Sequence, residues 1–101
     1  MQLEELTVGF IGAGNMAEAI AGALISANTA LASNILMADI DEGRLKRMAE
    51  AYAVQTTTDN LDVFVRSKVV ILAVKPQKVA EAVPALAQDS RYAVAARKQF
   101  I

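Results

Sequence analysis

Two glycines with one residue between them, Gly12 and Gly14, are the part of this sequence best suited to hold a charged ligand. Glycine at the first position lets the chain turn tightly, and glycine at the second removes a side chain that would keep phosphates away from the backbone. The small third residue, Ala17, allows a helix to approach the strand before it. Because the start of such a helix offers unpaired N–H groups and a positive dipole end, the spacing predicts a pyrophosphate-binding turn.

The residues on either side of this turn supply the strand and the helix that the motif needs. Val8 to Ile11 is a short apolar run of the kind expected for a strand buried on both faces. Beyond the turn, apolar residues recur at spacings that predict a helix with one apolar face. The members of that face are Met16, Ala17, Ile20, Ala21, Leu24 and Ile25. A strand, a glycine turn and a helix in this order favour dinucleotide binding over a turn that binds nothing.

Asp39 follows a second short apolar run, Ile35 to Ala38, which is predicted to form a parallel strand. An acidic residue about 20 residues beyond the glycine turn commonly hydrogen-bonds the adenosine ribose. The Asp39 carboxylate would accept from the free 2′-OH of NAD and would repel the 2′-phosphate of NADP. The alternative role is that of a solvated turn or capping residue.

The helix after Asp39 is expected to begin at Asp41, which is a suitable N-cap. Arg44, Lys46 and Arg47 are predicted on its outer side. A solvated helix face is the favoured interpretation of these three basic residues, and a phosphate clamp is the alternative. Arg44 distinguishes the two best, because it begins the helix beside the predicted ribose site.

Two further strands and a short helix complete the predicted sheet. Val54 to Thr57 suits an edge strand, and Thr58 or Asp59 would cap the helix that follows. That helix is expected to bury Leu61, Phe64 and Val65. Lys68 to Val74 is apolar without alternation, as a central parallel strand should be, and its carboxyl end meets the glycine turn. Residues 92–96 are a candidate fifth strand.

The composition excludes several classes of function. The chain has 101 residues, 10 basic and 11 acidic, with a net charge of −1, which gives no electrostatic basis for binding nucleic acid or an anionic membrane. Cysteine and histidine are absent, so no disulfide, thiol chemistry or metal site is expected. No run approaches the ~18 apolar residues of a membrane span, and the N-terminus lacks the basic start of a secretion signal. A cytoplasmic location is therefore expected.

The apolar content also bears on assembly and fold. Hydrophobic residues make up 54% of the chain, against about 45–50% in typical domains, which predicts a homo-oligomer or a covering domain. The alternating elements predict an α/β fold, a Rossmann-type doubly wound parallel sheet of about four to five strands. Residues 1–101 are expected to form one dinucleotide-binding domain, with NADP or NAD as the cofactor.

Three segments resemble the N-terminal half of pyrroline-5-carboxylate reductase. They are residues 9–17, residues 58–60, and residues 70–77, in which a Lys-Pro pair follows the strand. The third is the most specific, since other Rossmann families seldom have that pair there. The resemblance covers about residues 6–86, and residues 87–101 diverge from it. It implies a reductase that uses a nicotinamide cofactor to convert 1-pyrroline-5-carboxylate, a small imino acid, to proline.

The resemblance also implies which residues contact the cofactor. In that family the backbone of the strand end and the glycine turn holds the pyrophosphate. Here these residues are Ile11, Gly12, Ala13, Gly14, Asn15 and Met16. Asp39 would meet the ribose, and Asn60 would contact the adenosine, although capping a helix is a common alternative for Asn. The segment Ala73, Val74, Lys75 and Pro76 would lie along the cofactor toward its nicotinamide. Lys75 is then positional, and no catalytic residue is assigned.

The sequence departs from the family pattern at two places. Ser, Thr or Asn, consistent with NADP use, often stands where this chain has Asp39. The Asp39 carboxylate therefore shifts the expected cofactor toward NAD or dual use unless Arg44 compensates. The family continues into a Ser-Ile-Ala-Ala-Gly turn and a helical domain that binds the imino acid and forms the dimer, whereas residues 93–96 lead here into Arg97. A truncated or out-of-frame product would end in this way. We therefore expect the chain to lack the helical second domain and to be nearly inactive by itself.

Two other functions fit the same residues. A 3-hydroxyacid-type dehydrogenase has a similar glycine turn, but it usually places Gly where Ala17 stands and lacks Lys-Pro after the fourth strand. A non-catalytic nucleotide-sensing or assembly module would use the apolar surface and the open sheet edge to pair subunits. Titration with NADH and NADPH separates these classes, because an assembly module need bind neither.

Overall fold

Parallel strands and helices alternate along the chain, as far as the computed structural model describes it, which is residues 6–73 together with 99 and 100. The elements are β1 (Val8–Ile11), α1 (Asn15–Ser26), a 3₁₀ turn (Ala32–Asn34), β2 (Ile35–Ala38), α2 (Glu42–Tyr52), β3 (Gln55–Thr57), α3 (Asn60–Arg66), β4 (Val69–Leu72) and β5 (Gln99–Phe100). The strand order is β3-β2-β1-β4-β5, and every neighbouring pair is parallel. The doubly wound, Rossmann-type sheet predicted from the sequence is confirmed.

The central strand β1 has partners on both sides. Its four residues pair in register with all of β2 and with all of β4. Every residue of β1 and β2 is buried, because helices cover both faces of the sheet. A strand in this position has no solvent face, which explains why the sequence of β1 is apolar without alternation.

Successive residues of the strands divide between two hydrophobic clusters. Val8 and Phe10 face α1 and α2, in a cluster that also contains Met37 and Met48. Ile11 belongs to the cluster on the opposite face. The other buried members of that second cluster are Leu36, Ala38, Leu61, Val63, Phe64 and Val70. The helices therefore cover the sheet in two layers, with α1 and α2 on one side and α3 on the other.

Gly9 lies on the α3 side of β1, where the helix approaches closely. A Cβ atom added to Gly9 would collide with the Ser67 Oγ and the Val63 Cγ1, and would lie 2.9 Å from the Ser67 Cβ. Ser67 is 1% exposed. Gly9 is therefore required by packing between the strand and the end of α3, a role that no pattern in the sequence indicates.

The helix caps follow the predictions closely. The Asp41 side chain caps α2 by accepting from the Arg44 N–H, and the Asp59 side chain caps α3 by accepting from the Leu61 N–H. Of the two predicted α3 caps, Asp59 is thus the one used. The helix α2 ends at Tyr52, and its C-cap is Ala53, whose φ of 61° is in the left-handed region.

The predicted burial of two residues, Met16 and Val65, was wrong. Met16 is 54% exposed, because the first turn of α1 extends beyond the carboxyl end of the sheet. In α3, Leu61 and Phe64 are buried as predicted, but the third buried residue is Val63 and not Val65, because Val63 faces β1. A fifth strand occurs at Gln99–Phe100, whereas the candidate at residues 92–96 lies outside the described residues.

None of the helices in the described part of the chain combines the length and apolar character needed to cross a membrane.

Candidate dinucleotide-binding site

The glycine turn is joined to the strands on both sides of β1. Gly12 has a φ of 107°, a conformation that residues with a side chain rarely adopt. Its N–H donates to the Ala38 carbonyl at 2.8 Å, and the Ala73 N–H donates to the Ile11 carbonyl at 2.9 Å. These bonds fix the turn at the carboxyl edge of the sheet, between the ends of β2 and β4.

The helix α1 begins without a side chain over its first N–H groups. Gly14 is its N-cap, with extended backbone and no side-chain cap hydrogen bond. A Cβ built at Gly14 would meet no atom within 4 Å, so the space in front of the helix start is open. Gly14, Asn15 and Met16 are exposed. The first N–H groups of a helix have no partner within the helix, so this end can donate to an anionic ligand.

Asp39 lies between the glycine turn and the start of α2. Its Oδ2 accepts from the Ala13 N–H at 2.9 Å, and its Oδ1 accepts from the Asp41 N–H at 3.0 Å. The carboxylate thus connects the ends of the two central strands and is half-buried. Asp39, the predicted ribose contact, therefore has a structural role in the turn.

Arg44 does not lie on a solvated face of α2, contrary to the favoured interpretation of the three basic residues. Its side chain is 14% exposed, because Nε donates to the Ala13 carbonyl at 2.6 Å and Nη2 donates to the Glu18 carboxylate at 2.7 Å. Nη2 also lies 3.5 Å from the Asn15 Oδ1. Lys46 and Arg47 are exposed, as the favoured interpretation predicts. Arg44 differs because α2 begins beside the turn and the long side chain reaches beneath it.

Glu18 and Tyr52 complete this network and were not assigned a site role from the sequence. The Tyr52 hydroxyl donates to the second oxygen of Glu18 at 2.8 Å. Hydrogen bonds from Tyr52 and from Arg44 hold the pKa of Glu18 below its ordinary value. The same hydrogen bond to Glu18 raises the pKa of the Tyr52 hydroxyl. The signal in the sequence was an acidic residue within the apolar pattern of the first helix, one turn after the glycine pair.

We expect acidification to destabilise the chain in part by protonating Glu18. Because folding lowers this pKa, the stabilisation is complete above the pKa of the unfolded chain and is lost as pH falls through the folded value. Tyr52→Phe removes the largest cause of the shift, so the acid limb of its stability profile should be shallower. Thermal unfolding from neutral pH to about pH 3 measures this. The control is Asp62→Asn, which breaks the exposed ion pair of Asp62 with Arg66. Superimposable profiles for Tyr52→Phe and the unmodified chain would contradict the expectation.

The other predicted site residues are Asn60 and the segment from Ala73 to Pro76. Asn60 is the first residue of α3, which follows the carboxyl end of β3 and so begins at the same edge of the sheet as the glycine turn. Ala73 is buried and directly beside Ile11. Val74, Lys75 and Pro76 lie outside the described residues. The structure therefore brings Asp39 and Ala73 against the glycine turn and places Asn60 at the same edge.

Comparison with known proteins gives a consistent result. Residues 7–95 match the sequence profile of a family described as NADP oxidoreductase, coenzyme F420-dependent. The chain is 38% identical over 79 residues to the pyrroline-5-carboxylate reductase of Vibrio alginolyticus, covering 78% of this chain and 29% of that protein. The resemblance stated from the three sequence segments is confirmed.

Solved structures support the same fold. A pyrroline-5-carboxylate reductase from Coxiella burnetii matches with a TM-score of 0.74 and 34% identity over 80% of this chain and 30% of its own. The Plasmodium falciparum pyrroline carboxylate reductase with NADP bound matches with a TM-score of 0.76 over 98% of this chain and 33% of its own. Because the two sequences are only 17% identical, this match shows a likeness of fold alone. The chain thus spans less than a third of the length of the curated relatives it matches first.

Proposed function

The chain belongs to the family of NADP oxidoreductases described as coenzyme F420-dependent, and we propose that it is the cofactor-binding part of a reductase that acts on a cyclic imino acid. A nicotinamide dinucleotide is the cofactor of this family, and when bound in reduced form it supplies a hydride. The residues of this chain would bind and orient that cofactor at the carboxyl edge of the sheet. The proposed substrate is 1-pyrroline-5-carboxylate, by similarity to the named relatives.

The observation that carries the proposal is the open, uncapped start of α1. The positive φ of Gly12 forms the turn, and the missing side chain of Gly14 leaves room for phosphates next to helix N–H groups. We propose that the segment from Ile11 to Met16 holds the pyrophosphate. Ile40, which follows Asp39 and is 89% exposed, offers an apolar surface that the adenine could cover.

Asp39 is the residue that we propose discriminates between NAD and NADP. A carboxylate at the ribose accepts from the 2′-OH and repels a 2′-phosphate. Arg44 is engaged with Ala13 and Glu18, so its guanidinium is not disposed to compensate for that repulsion. We therefore expect NADH to bind more tightly than NADPH. We also propose that Asn60 lies near the adenosine and that the segment from Ala73 to Pro76 lies near the nicotinamide.

Titration of the purified chain with NADH and NADPH, followed by nicotinamide fluorescence, tests the cofactor assignment. Replacing Asp39 with Ser should shift the ratio of the two affinities toward NADPH by about tenfold or more, since a like-charge repulsion is removed. The matched control is Asp41→Ser, which keeps a good N-cap for α2 in the same loop. An unchanged ratio in Asp39→Ser would exclude Asp39 from the ribose site, and no binding of either dinucleotide would favour an assembly module.

The reaction is tested separately from cofactor binding. We propose that substrate contacts and most of the catalytic geometry belong to parts of the relatives beyond the segment matched here, because that segment is 29% of the Vibrio alginolyticus protein. The 101-residue chain should then oxidise NADH or NADPH very slowly with 1-pyrroline-5-carboxylate. Turnover near that of an intact reductase would contradict this. A cytoplasmic location and homo-oligomer formation stay predictions.

A further inference from the structure

Two successive peptide groups in the glycine turn are each held by a different side chain. The N–H of Ala13 donates to Asp39, and the carbonyl of Ala13 accepts from the Arg44 Nε. No cis peptide bond occurs in the described residues. In a trans peptide the carbonyl of one residue and the N–H of the next point in opposite directions. Arg44 therefore fixes the Gly14 N–H so that it points away from the guanidinium.

Arg44 can hold this carbonyl only while its own position is defined. Its backbone N–H is bonded to Asp41 at the start of α2, and its guanidinium is mostly removed from solvent. A guanidinium in such a place needs a charged partner, because an unpaired buried charge is costly. That partner is Glu18, whose other carboxylate oxygen is fixed in turn by Tyr52.

We propose that Glu18 is a positioning residue for dinucleotide binding, which acts through Arg44 on the Ala13–Gly14 peptide. Glu18 is one turn inside α1, and its N–H donates to the Gly14 carbonyl, so it need not touch the ligand. The inference rests on the proposed function of the glycine turn as a pyrophosphate site. Its distinctive consequence is that losing Glu18 weakens binding of NADH and NADPH equally, since both carry the same pyrophosphate.

The test is the affinity of NADH and of NADPH for the unmodified chain and for Glu18→Gln, measured at neutral pH and on acidification. Glu18→Gln should weaken both dinucleotides by about tenfold, the size expected for loss of a charge-assisted contact, and leave their ratio unchanged. The unmodified chain should lose affinity as Glu18 is protonated in acid, whereas Glu18→Gln should lack that step. Tyr52→Phe should show a smaller loss of the same kind, which keeps the test available if Glu18→Gln folds poorly.

Asp62→Asn, which removes the ion-pair partner of the exposed Arg66, is the control and should bind both dinucleotides as the unmodified chain does. Unchanged affinities in Glu18→Gln, with or without a lower melting temperature, would overturn the inference. A selective gain for NADPH would also overturn it, because it would mean that Arg44 is released to the 2′-phosphate. If the unmodified chain bound neither dinucleotide, the proposed function would fail first and this inference with it.

Discussion

The Gly14→Ser variant is expected to be as stable as the unmodified chain and yet to bind NADH and NADPH at least about tenfold more weakly, a loss of about 1.4 kcal/mol or more. Gly14 has a φ of −80°, which any residue adopts, and a side chain there would meet no protein atom within 4 Å. Serine is also a better N-cap than glycine by a few tenths of a kcal/mol. Its hydroxyl would accept from the N–H groups that the phosphates require, and its Cβ would fill the space in front of them.

The same substitution two positions earlier provides the comparison. Gly12→Ser forces a side chain into a φ of 107°, and such strain costs about 1–3 kcal/mol. We expect Gly12→Ser to lose both stability and affinity, whereas Gly14→Ser loses affinity alone. Thermal unfolding and fluorescence titration of the two variants separate these effects. Normal dinucleotide binding by Gly14→Ser would contradict the assignment of the glycine turn as the phosphate site.

Gly9→Ala is expected to be the most destabilising single-methyl change in the sheet. The added Cβ would overlap the side chains of Ser67 and Val63, both fully buried, so β1 and α3 would have to separate. Overpacking of this kind typically costs about 1–3 kcal/mol, and we expect the upper end because the Ser67 Cβ is directly attached to the backbone. Such a loss is a large part of the roughly 5–15 kcal/mol that stabilises a typical domain.

Gly22→Ala is the matched control for this change. Gly22 lies inside α1, and a Cβ there would make ordinary contact with the Tyr52 ring at 3.6 Å. Alanine is favoured over glycine within a helix by about 0.5–1 kcal/mol, so this variant should be slightly more stable. Denaturant unfolding of both variants measures the difference. Equal stability of Gly9→Ala and the unmodified chain would mean that α3 can move away from β1 at little cost.

The fold was predictable because its determinants are local. A continuous apolar run, a glycine pair and a helical repeat each define an element within a few residues, and β1 and β2 have the predicted bounds. The caps Asp41 and Asp59 are equally local, since a capping side chain bonds to a backbone group two or three residues away. Met16 was one exception beside Val65, because helical periodicity does not say where a helix passes the edge of the sheet.

The site was only partly predictable because its contacts join distant segments. The position of Gly12 could be assigned from its spacing, but the role of Arg44 depends on how α2 approaches the glycine turn, which no local pattern records. The bond that Asp39 accepts from the Ala13 N–H depends likewise on the register between β1 and β2. Gly9 would be interpreted from the sequence as a weak point in a strand. Its actual role depends on the distance between two layers of the structure.

The position of β1 at the centre of the sheet also affects how the chain is made. Val8 pairs with Ile35 on one side and with Val69 on the other. Translation adds about 5–20 residues per second, so β1 leaves the ribosome several seconds before β4 does. During that interval the nascent chain exposes an apolar strand with an unpaired edge, which invites association with other chains. The strand on which the mature sheet depends is therefore the segment most in need of protection during synthesis.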